Sequence, residues 1–248
     1  MVGSDEIKKI LDLAIEASLK AGESILQVYN ASSIKVDFKS DNSPLTQADL
    51  VSHQAIVHYL NSTPYPILSE EGKLMSGNQR KELNTIWIVD PLDGTKEFVN
   101  RNGEFTVNIA LVEDHLPILG VVYAPVTKEI YFAAKGIGSY KTIANTNGRI
   151  EDIRNTANQL PLIKGNEVFK VVASRSHLTP ETEDYINQLR NDHPQIEITS
   201  RGSSLKLCMV AEGSADCYPR FAPTMEWDTA AGHAICRYSG AQVIDYLT

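Results

Sequence analysis

The spacing of apolar residues predicts two helices in the amino-terminal part of the chain. Residues 5–29 carry apolar side chains three or four positions apart, which places them on one face of an α-helix. Ser4 is a candidate N-cap for this helix, and acidic residues follow in its first turn. After the polar loop KSDNSPLT, similar spacing predicts a second helix over residues 47–60.

Short apolar runs then predict strands in the middle of the chain. We expect strands at residues 67–68, 86–89, 105–112, 120–123 and 130–133. Glycine and proline residues separate the last three runs, which is typical of an antiparallel meander. Residues 142–165 are polar, rich in asparagine and weakly periodic. We interpret them as a connector between an amino-terminal lobe at 1–145 and a carboxy-terminal lobe at 146–248.

The carboxy-terminal part of the chain mixes helical and strand patterns. Helices are predicted at residues 180–189 and 205–212 and from about Asp228 onward, and strands at 168–174 and 241–244. Because strands and helices do not alternate strictly, we predict a layered α/β sandwich of mixed α+β character, not a doubly wound nucleotide-binding sheet. The sequence Gly136-Ile137-Gly138 lacks the rest of the dinucleotide-binding fingerprint and is better explained as a hairpin turn.

Composition and charge narrow the class of ligand. The 248 residues are 42% apolar and 22% charged, which is ordinary for a soluble globular protein. The net charge of -8 argues against binding to a nucleic acid polymer, because such proteins are usually basic. A small anionic ligand stays compatible with this charge, since a metal ion and a few lysines or arginines can reverse the field locally.

Cysteine usage and the amino terminus indicate the compartment. The three cysteines, Cys208, Cys217 and Cys236, have no CxxC spacing, so we expect reduced thiols and no structural zinc site. The amino-terminal sequence MVGSDEIKKI has no apolar signal core, and no apolar run approaches the length of a membrane span. We therefore expect a cytoplasmic protein.

The sequence DPLDGTKEF at residues 90–98 carries the strongest chemical signal. Asp90 and Asp93 follow a buried strand, and Pro91 favours a sharp turn that would aim both carboxylates at one spot. Gly94 and Thr95 follow, where a helix start or a group of backbone N–H donors would accept an anion. Carboxylates beside an anion site repel the anion unless a hard cation lies between them, so this arrangement predicts Mg²⁺ and phosphate together. A simple turn with a capping aspartate is the alternative.

Two further acidic positions could complete a metal centre. Glu70 and Glu71 follow the predicted strand at 67–68, and Asp228 lies at the start of the last helix. A surface acidic pair and an N-cap are the simpler interpretations of these residues taken singly. A two-metal phosphatase needs several hard oxygen ligands around ions about 3.5–4 Å apart. The set Glu70, Asp90, Asp93 and Asp228 suffices if the fold brings its members together.

Three motifs in this order resemble a known superfamily. LSEEG at 68–72, DPLDGTKEF and WDTAAG at 227–232 resemble the lithium-sensitive, Mg²⁺-dependent phosphatases of the inositol monophosphatase superfamily. RNGEFTVNIALVE, ILGVVYAPV, SRSH, GSSLK and YPRF are more similar to its 3'(2'),5'-bisphosphate nucleotidase branch of the CysQ type. The resemblance covers residues 40–234 and implies an αβαβα sandwich. The family usually continues further, so we expect a short terminal segment to be missing after Thr248.

The resemblance implies roles for the motif residues. Glu70, Asp90, Asp93, Asp228 and the main-chain carbonyl of Leu92 would bind two or three Mg²⁺ ions. Gly94 and Thr95 would contact the scissile phosphate, and Asp49 would work with Thr95 to orient the attacking water. Thr46 and Asp49 also fit a capping box at the start of the second helix, and both roles can hold together.

Substrate-binding residues are implied in the carboxy-terminal lobe. His177, Ser203, Lys206 and Arg220 match positions that bind the nucleotide and its second phosphate, and lysine and arginine suit phosphate oxygens chemically. Taken singly, such residues are more often solvated or satisfied in a core.

The implied function is hydrolysis of the 3'-phosphate of adenosine 3',5'-bisphosphate, with 3'-phosphoadenylyl sulfate as a second substrate and a link to sulfate assimilation. An inositol monophosphatase-like enzyme, or a catalytically silent nucleotide- or metal-binding protein, is the alternative. The chain is expected to be a monomer or homodimer, and some relatives associate peripherally with the cytoplasmic face of the inner membrane.

Overall fold

Residues 2–31, 36–38, 44–73, 75–165, 167–173 and 179–246 are described by the computed structural model. The helices are α1 Ser4–Tyr29, α2 Gln47–Leu60, α3 Gly77–Lys81, α4 Thr95–Val99, α5 Ile150–Asn155, α6 Pro180–Leu189, α7 Leu205–Glu212 and α8 Glu226–Ser239. The strands are β1 Val36–Phe38, β2 Pro44–Thr46, β3 Ile67–Ser69, β4 Thr85–Asp93, β5 Thr106–Glu113, β6 Leu116–Ala124, β7 Glu129–Ala134, β8 Gly138–Ile143, β9 Asn158–Gln159, β10 Phe169–Ala173 and β11 Ile196–Ser200. His177, a predicted substrate-binding residue, lies outside the described residues.

A seven-stranded sheet runs from β3 to β9 in chain order. Strands β3 and β4 are parallel, and each later neighbouring pair in this sheet is antiparallel. The predicted meander is therefore confirmed. Its consecutive strands pair with their chain neighbours because short Gly- and Pro-containing connections favour antiparallel hairpins.

The two faces of this sheet are covered by different helix pairs. Helices α1 and α2 pack together over one face, and α7 and α8 cover the other. Side chains along β4 alternate accordingly: Trp87 and Val89 enter the core beneath α1 and α2, whereas Ile88 enters the core beneath α7 and α8. The parallel pair β10–β11 lies beyond α7. The predicted layered architecture of mixed α/β type is confirmed.

Glycines allow α8 to approach the sheet and α7 closely. A Cβ atom added to Gly120 of β6 would collide with the main-chain carbonyl of Ala231 in α8. A Cβ on Gly232 would likewise overlap the side chain of Leu207 in α7. These contacts bring the first turn of α8, with Asp228, towards the sheet face that also receives the end of β4.

The structure differs from the predicted elements in three places. Helix α1 has Gly3 as its N-cap, so Ser4 lies one residue inside the helix, and no side chain caps it. The predicted strand at 241–244 is wrong, because this segment has no regular structure and Ile244 is 77% exposed. A strand needs a paired neighbour, and residues 241–244 pair with no strand in the described part of the chain. The predicted connector at 142–165 includes α5 and β9, which extends the sheet at its edge.

The division into lobes at 1–145 and 146–248 stays a prediction. Helix α8 of the second lobe packs directly on β5 and β6 of the first.

Among the described helices, none combines the length and apolarity that crossing a membrane would require.

Candidate active site

A β-bulge at the end of β4 directs two aspartates to the same face of the sheet. Asp90 pairs with Asn108 of β5 and Asp93 pairs with Thr106, so two residues of β4 lie opposite one residue of β5. In a regular strand, residues three apart point to opposite faces. The extra residue in the bulge cancels that alternation. Leu92 enters the core beneath α1 and α2, while Asp90 and Asp93 interact on the α8 side.

Helix α2 and the turn itself hold this bulge in place. The Ser52 hydroxyl donates a hydrogen bond of 2.6 Å to the Pro91 carbonyl. The backbone N–H of Leu92 donates to Asp90 Oδ1 at 3.0 Å. Because Pro91 supplies no N–H, these bonds replace part of the regular ladder.

Asp90 is the most deeply buried acid of the cluster, 1% exposed. Burial raises the pKa of Asp90 well above its usual range, and the neighbouring Glu70 and Asp93 raise it further. Glu70 reaches this position because its backbone N–H donates to the Val89 carbonyl at 3.1 Å, which holds the end of β3 beside β4. Its side chain also forms a hydrogen bond with Asp90.

The Asp93 carboxylate is held by two polar side chains from other elements. Its Oδ2 accepts hydrogen bonds from Asn108 Nδ2 at 3.2 Å and from Ser204 Oγ at 2.9 Å. Burial raises the pKa of Asp93 to about 6; the Lys206 charge and these hydrogen bonds oppose this shift, and Asp228 adds to it. The same Ser204 hydroxyl lies 2.9 Å from the Asp228 carbonyl, so it connects β4 to the start of α8.

Asp228 lies at the third position of α8, and Met225 is the N-cap. The N-cap interpretation of Asp228 is therefore wrong in position. Its Oδ2 nevertheless accepts hydrogen bonds from the Met225 N–H at 2.9 Å and from Thr224 Oγ1 at 2.8 Å. A carboxylate at the third helical position can satisfy the donors of the first turn in this way.

The chemistry of this acidic cluster suits a hard cation. Glu70, Asp90, Asp93 and Asp228 interact as neighbours, and burial and mutual repulsion raise the pKa values of the two central members. Such carboxylates are stabilised by a divalent cation. Among the described residues, no three or more His, Cys, Asp or Glu side chains are placed to hold a metal ion. The carboxylates would therefore have to rearrange to bind one. Metal binding would have to replace the Glu70–Asp90 hydrogen bond.

Asp49 and Thr95 are in contact, as their predicted partnership requires. Asp49 Oδ2 accepts from the Thr46 N–H and from Thr46 Oγ1, both at 2.7 Å, so the predicted capping box of α2 is confirmed. Asp49 Oδ1 accepts from Thr95 Oγ1 at 3.3 Å. One carboxylate thus serves the helix cap with one oxygen and the threonine with the other.

Gly94 connects the bulge to α4. Its φ of 92° lies in the left-handed region, and a Cβ there would collide with Ser203 Oγ. Helix α4 then begins at Thr95. Ser203 Oγ itself lies 2.7 Å from the Asp93 carbonyl and 2.8 Å from the Glu104 carbonyl. Its hydroxyl therefore holds backbone in this structure, and a role in substrate binding stays a prediction.

Lys206 and Arg220 supply positive charge to the same pocket as the acids. Lys206 is buried, and its Nζ donates to the carbonyls of Ser203 at 2.6 Å and Arg201 at 3.3 Å. Burial lowers the pKa of Lys206, Asp93 opposes that shift, and Arg220 adds to it. Arg220 is exposed and donates from Nη2 to the Pro223 carbonyl at 3.0 Å.

A pocket of about 890 Å³ joins the acidic and basic groups. Its lining includes eight of the predicted site residues: Glu70, Asp93, Gly94, Thr95, Ser203, Lys206, Arg220 and Asp228. Asp49, Asp90 and Leu92 are buried behind this lining. The fold therefore brings together residues separated by more than half of the chain.

The sequence interpretation missed several residues of this site. Asn108 and Ser204 hold Asp93, and a buried polar residue within the apolar run of β5 was the available signal for Asn108. Three aromatic rings, Tyr185, Phe221 and Tyr246, also line the pocket, with centroids 5.0–5.6 Å apart. Their wide separation in the chain left no local signal.

Comparison with known sequences identifies similar proteins. A sequence model of the inositol monophosphatase family matches residues 6–247. The 3'(2'),5'-bisphosphate nucleotidase CysQ of Salmonella typhimurium (strain LT2) is 46% identical over 240 residues, covering 96% of this chain and 91% of that protein. The corresponding protein of Haemophilus influenzae is 32% identical, covering 95% and 84%.

Comparison with solved structures identifies members of the same family. The crystal structure of CysQ from Bacteroides thetaiotaomicron, described as a bacterial member of the inositol monophosphatase family, has a TM-score of 0.84 and 55% identity. The match covers 94% of this chain and 87% of that one. An inositol monophosphatase from Anabaena has a TM-score of 0.68 at 21% identity, over 95% and 82% of the chains, and supports the fold alone. The resemblance noted in the sequence motifs is confirmed.

Proposed function

The chain belongs to the inositol monophosphatase family, and we propose that it is a Mg²⁺-dependent phosphomonoesterase acting on adenosine 3',5'-bisphosphate. The products would be AMP and phosphate. One observation carries the proposal: a single pocket is lined both by the carboxylates Glu70, Asp93 and Asp228, its acidic wall, and by the cations Lys206 and Arg220, its basic wall. A substrate with two phosphates needs a cation-bearing acidic wall for the phosphate that is cleaved and a basic wall for the one retained. The similarity to bisphosphate nucleotidases supports the same substrate.

The acidic wall would hold the metal. Glu70, Asp90, Asp93, Asp228 and the Leu92 carbonyl are the proposed ligands for two or three Mg²⁺ ions. When bound, Mg²⁺ lowers the pKa of a coordinated water and neutralises charge on the leaving ribose oxygen. The buried, mutually repelling carboxylates described above support this assignment, because their negative charge is stabilised when a divalent cation binds.

Asp49 and Thr95 are the proposed pair for the attacking water. Since Thr95 Oγ1 donates its proton to Asp49 Oδ1, the lone pairs of that hydroxyl can accept a hydrogen bond from a water in the pocket. This would orient the water for in-line attack on phosphorus. As the water loses a proton, the Thr95 hydroxyl can pass its own proton to Asp49 and take up the one released. No covalent enzyme intermediate is required.

The basic side of the pocket would bind the rest of the substrate. Lys206 and Arg220 are proposed to bind the phosphate that is retained, and Gly94 and Thr95 the one that is cleaved. The rings of Tyr185, Phe221 and Tyr246, which are tilted or edge-on to one another, offer an apolar patch for adenine. Such a surface favours a nucleotide over an inositol phosphate. Ser203 and His177 are further proposed contacts.

The wider role follows from the same chemistry. 3'-Phosphoadenylyl sulfate carries the same 3'-phosphate, so we include it as a second substrate and propose a link to sulfate assimilation. Lithium would inhibit by displacing one metal from the carboxylates. We propose a cytoplasmic enzyme, a monomer or homodimer, whose peripheral attachment to the membrane is a separate question for fractionation.

Phosphate release from adenosine 3',5'-bisphosphate, inositol 1-phosphate and fructose 1,6-bisphosphate at equal concentration tests the proposal. Each reaction is run with Mg²⁺, with EDTA and with added Li⁺. Turnover of the nucleotide that requires Mg²⁺ and is inhibited by Li⁺ is the expected result. Preference for inositol phosphate would keep the acidic wall and overturn the substrate assignment. Nucleotide binding without phosphate release from any substrate would favour the alternative of a catalytically silent nucleotide-binding protein.

A further inference from the structure

Four charged side chains connect the two ends of α7 through the edge of the sheet. Lys141 Nζ of β8 lies 2.7 Å from Glu212 Oε2 at the carboxyl end of α7 and 3.0 Å from Glu129 Oε1 of β7. Arg201 Nη2, in the loop before α7, lies 3.3 Å from Glu129 Oε2. We call Glu129, Lys141, Arg201 and Glu212 the α7 clasp.

The α7 clasp is more than a set of surface ion pairs. The side chains of Glu129, Lys141 and Glu212 are at most 19% exposed. Burial alone would raise the pKa of Glu129, yet it is lowered, because Lys141 and Arg201 favour the charged form. Tyr131 adds a hydrogen bond of 2.9 Å to Glu212. A shielded network with several partners for each charge is stronger than exposed pairs, which contribute little.

Arg201 also belongs to the loop that orients Lys206. Lys206 Nζ donates hydrogen bonds to the main-chain carbonyls of Arg201 and Ser203. Ser203 has a φ of 53°, a conformation that a non-glycine residue adopts only when its surroundings hold it there. The Gly202 N–H donates to Glu104 Oε2 at 3.0 Å, and Arg201 Nη1 lies 3.7 Å from Glu104 Oε1.

The α7 clasp and Glu104 therefore fix both sides of the loop at 201–203. Arg201 does not line the pocket, whereas Lys206 does. We propose that Arg201, held by Glu129 and Glu104, is a positioning residue that fixes the loop carbonyls and thereby directs the Lys206 ammonium at the retained phosphate of the substrate. This inference rests on the proposed function, in which Lys206 binds that phosphate.

The variant Arg201→Met tests the proposal, because it keeps an unbranched apolar stem and removes the guanidinium. We expect the KM for adenosine 3',5'-bisphosphate to rise about tenfold, the effect of loosening one charge-assisted hydrogen bond. The kcat should change by less than about twofold, since Asp49, Thr95 and the acids are untouched. The KM for adenosine 3'-monophosphate, which has no second phosphate, should stay as in the wild type. Arg201→Lys should recover part of the loss.

Arg149→Met is the matched control. Arg149 forms an exposed pair with Asp152 in α5, so this variant should behave as the wild type. If Arg201→Met folds poorly, Glu129→Gln breaks the same link from the sheet side and should raise the same KM. Non-additivity of the two variants would show that they act through one contact.

Equal losses on both nucleotides, or a lower melting temperature with unchanged KM, would overturn the positioning role. Calorimetric binding of AMP separates this from a failure of the proposed function. A wild type that binds AMP but releases no phosphate would refute the proposed phosphatase activity. Weaker AMP binding by Arg201→Met would then still support the positioning role of Arg201. Failure of the wild type both to bind AMP and to release phosphate would overturn both.

Discussion

The acidic and basic walls of the pocket are built in different ways. The acidic wall stands on the end of β4, where the sheet, the bulge and α2 fix the backbone of Asp90 and Asp93. The basic wall comes from Lys206, in the first turn of α7, and from the exposed Arg220, and side-chain hydrogen bonds to loop carbonyls determine its geometry.

This difference separates two kinds of sensitivity. Burial destabilises Asp90 and Asp93 in their charged form, so we expect each to depend on a cation and to tolerate little change. Arg220 is exposed, so it can lose part of its interaction without leaving a buried charge unpaired. Lys206 is buried but keeps two backbone carbonyls as hydrogen-bond acceptors. We therefore expect changes in the acidic wall to affect kcat strongly and changes in the basic wall to affect KM in graded steps.

Asp93→Asn should have the largest effect. The amide keeps the shape but loses the charge that holds a divalent cation, so kcat/KM should fall by about 10³-fold or more, as expected when metal stabilisation of several kcal/mol is removed. The measurement is Mg²⁺-dependent phosphate release from adenosine 3',5'-bisphosphate. Asp192→Asn, at an exposed position, is the control. An active Asp93→Asn enzyme would count heavily against the metal assignment.

Thr95→Ala should have the next largest effect. Removing Oγ1 leaves the water without its link to Asp49, so kcat should fall by about 100-fold, within the usual range for acid–base assistance. Thr95→Ser keeps the hydroxyl and should recover most of the rate. Full activity in the alanine variant, measured at saturating substrate, would remove Thr95 from the proposed mechanism.

Local signals explain which parts of the fold and site the sequence predicts well. The bounds of α2, α6 and α7 agree with the predicted ranges, because each helix has its own apolar spacing and two have capping signals. The acidic motif is equally local: a buried strand, a proline and two aspartates are adjacent in the chain. The error at 241–244 has the opposite cause, since strand formation depends on a neighbour that apolar alternation does not reveal.

Contacts over long chain separations explain what the sequence leaves open. Ser204 reaches Asp93 across 111 residues, and Arg201 reaches Glu129 across 72. The proline within DPLDG indicates a departure from the regular ladder, but the face on which Asp93 emerges depends on its pairing with β5. Neither a capping motif nor apolar spacing carries that information.

Arg220→Gln tests the basic wall and should have a graded effect. Loss of one exposed cation beside the retained phosphate should raise the KM for adenosine 3',5'-bisphosphate about tenfold, with kcat nearly unchanged. Arg190→Gln, exposed at the end of α6, is the matched control. A fall in kcat as large as that of Thr95→Ala would show that the two walls are not separable as described.

The smallest expected effect is on the melting temperature of Asp93→Asn relative to the wild type, and Mg²⁺ should reverse its sign. Because burial raises the pKa of Asp93 to about 6, the folded protein binds this proton more tightly than the unfolded chain does. Without metal, the free energy of unfolding therefore falls as pH rises from about 4 to about 6, and the loss persists above that range.

In EDTA at pH 7.5, Asp93→Asn should melt a few degrees higher than the wild type, since the amide removes a buried charge. Excess Mg²⁺ should raise the melting temperature of the wild type and not that of the variant. A variant that melts lower than the wild type in EDTA would mean that Lys206, Ser204 and Asn108 already compensate the charge, and that the acidic wall does not depend on a cation.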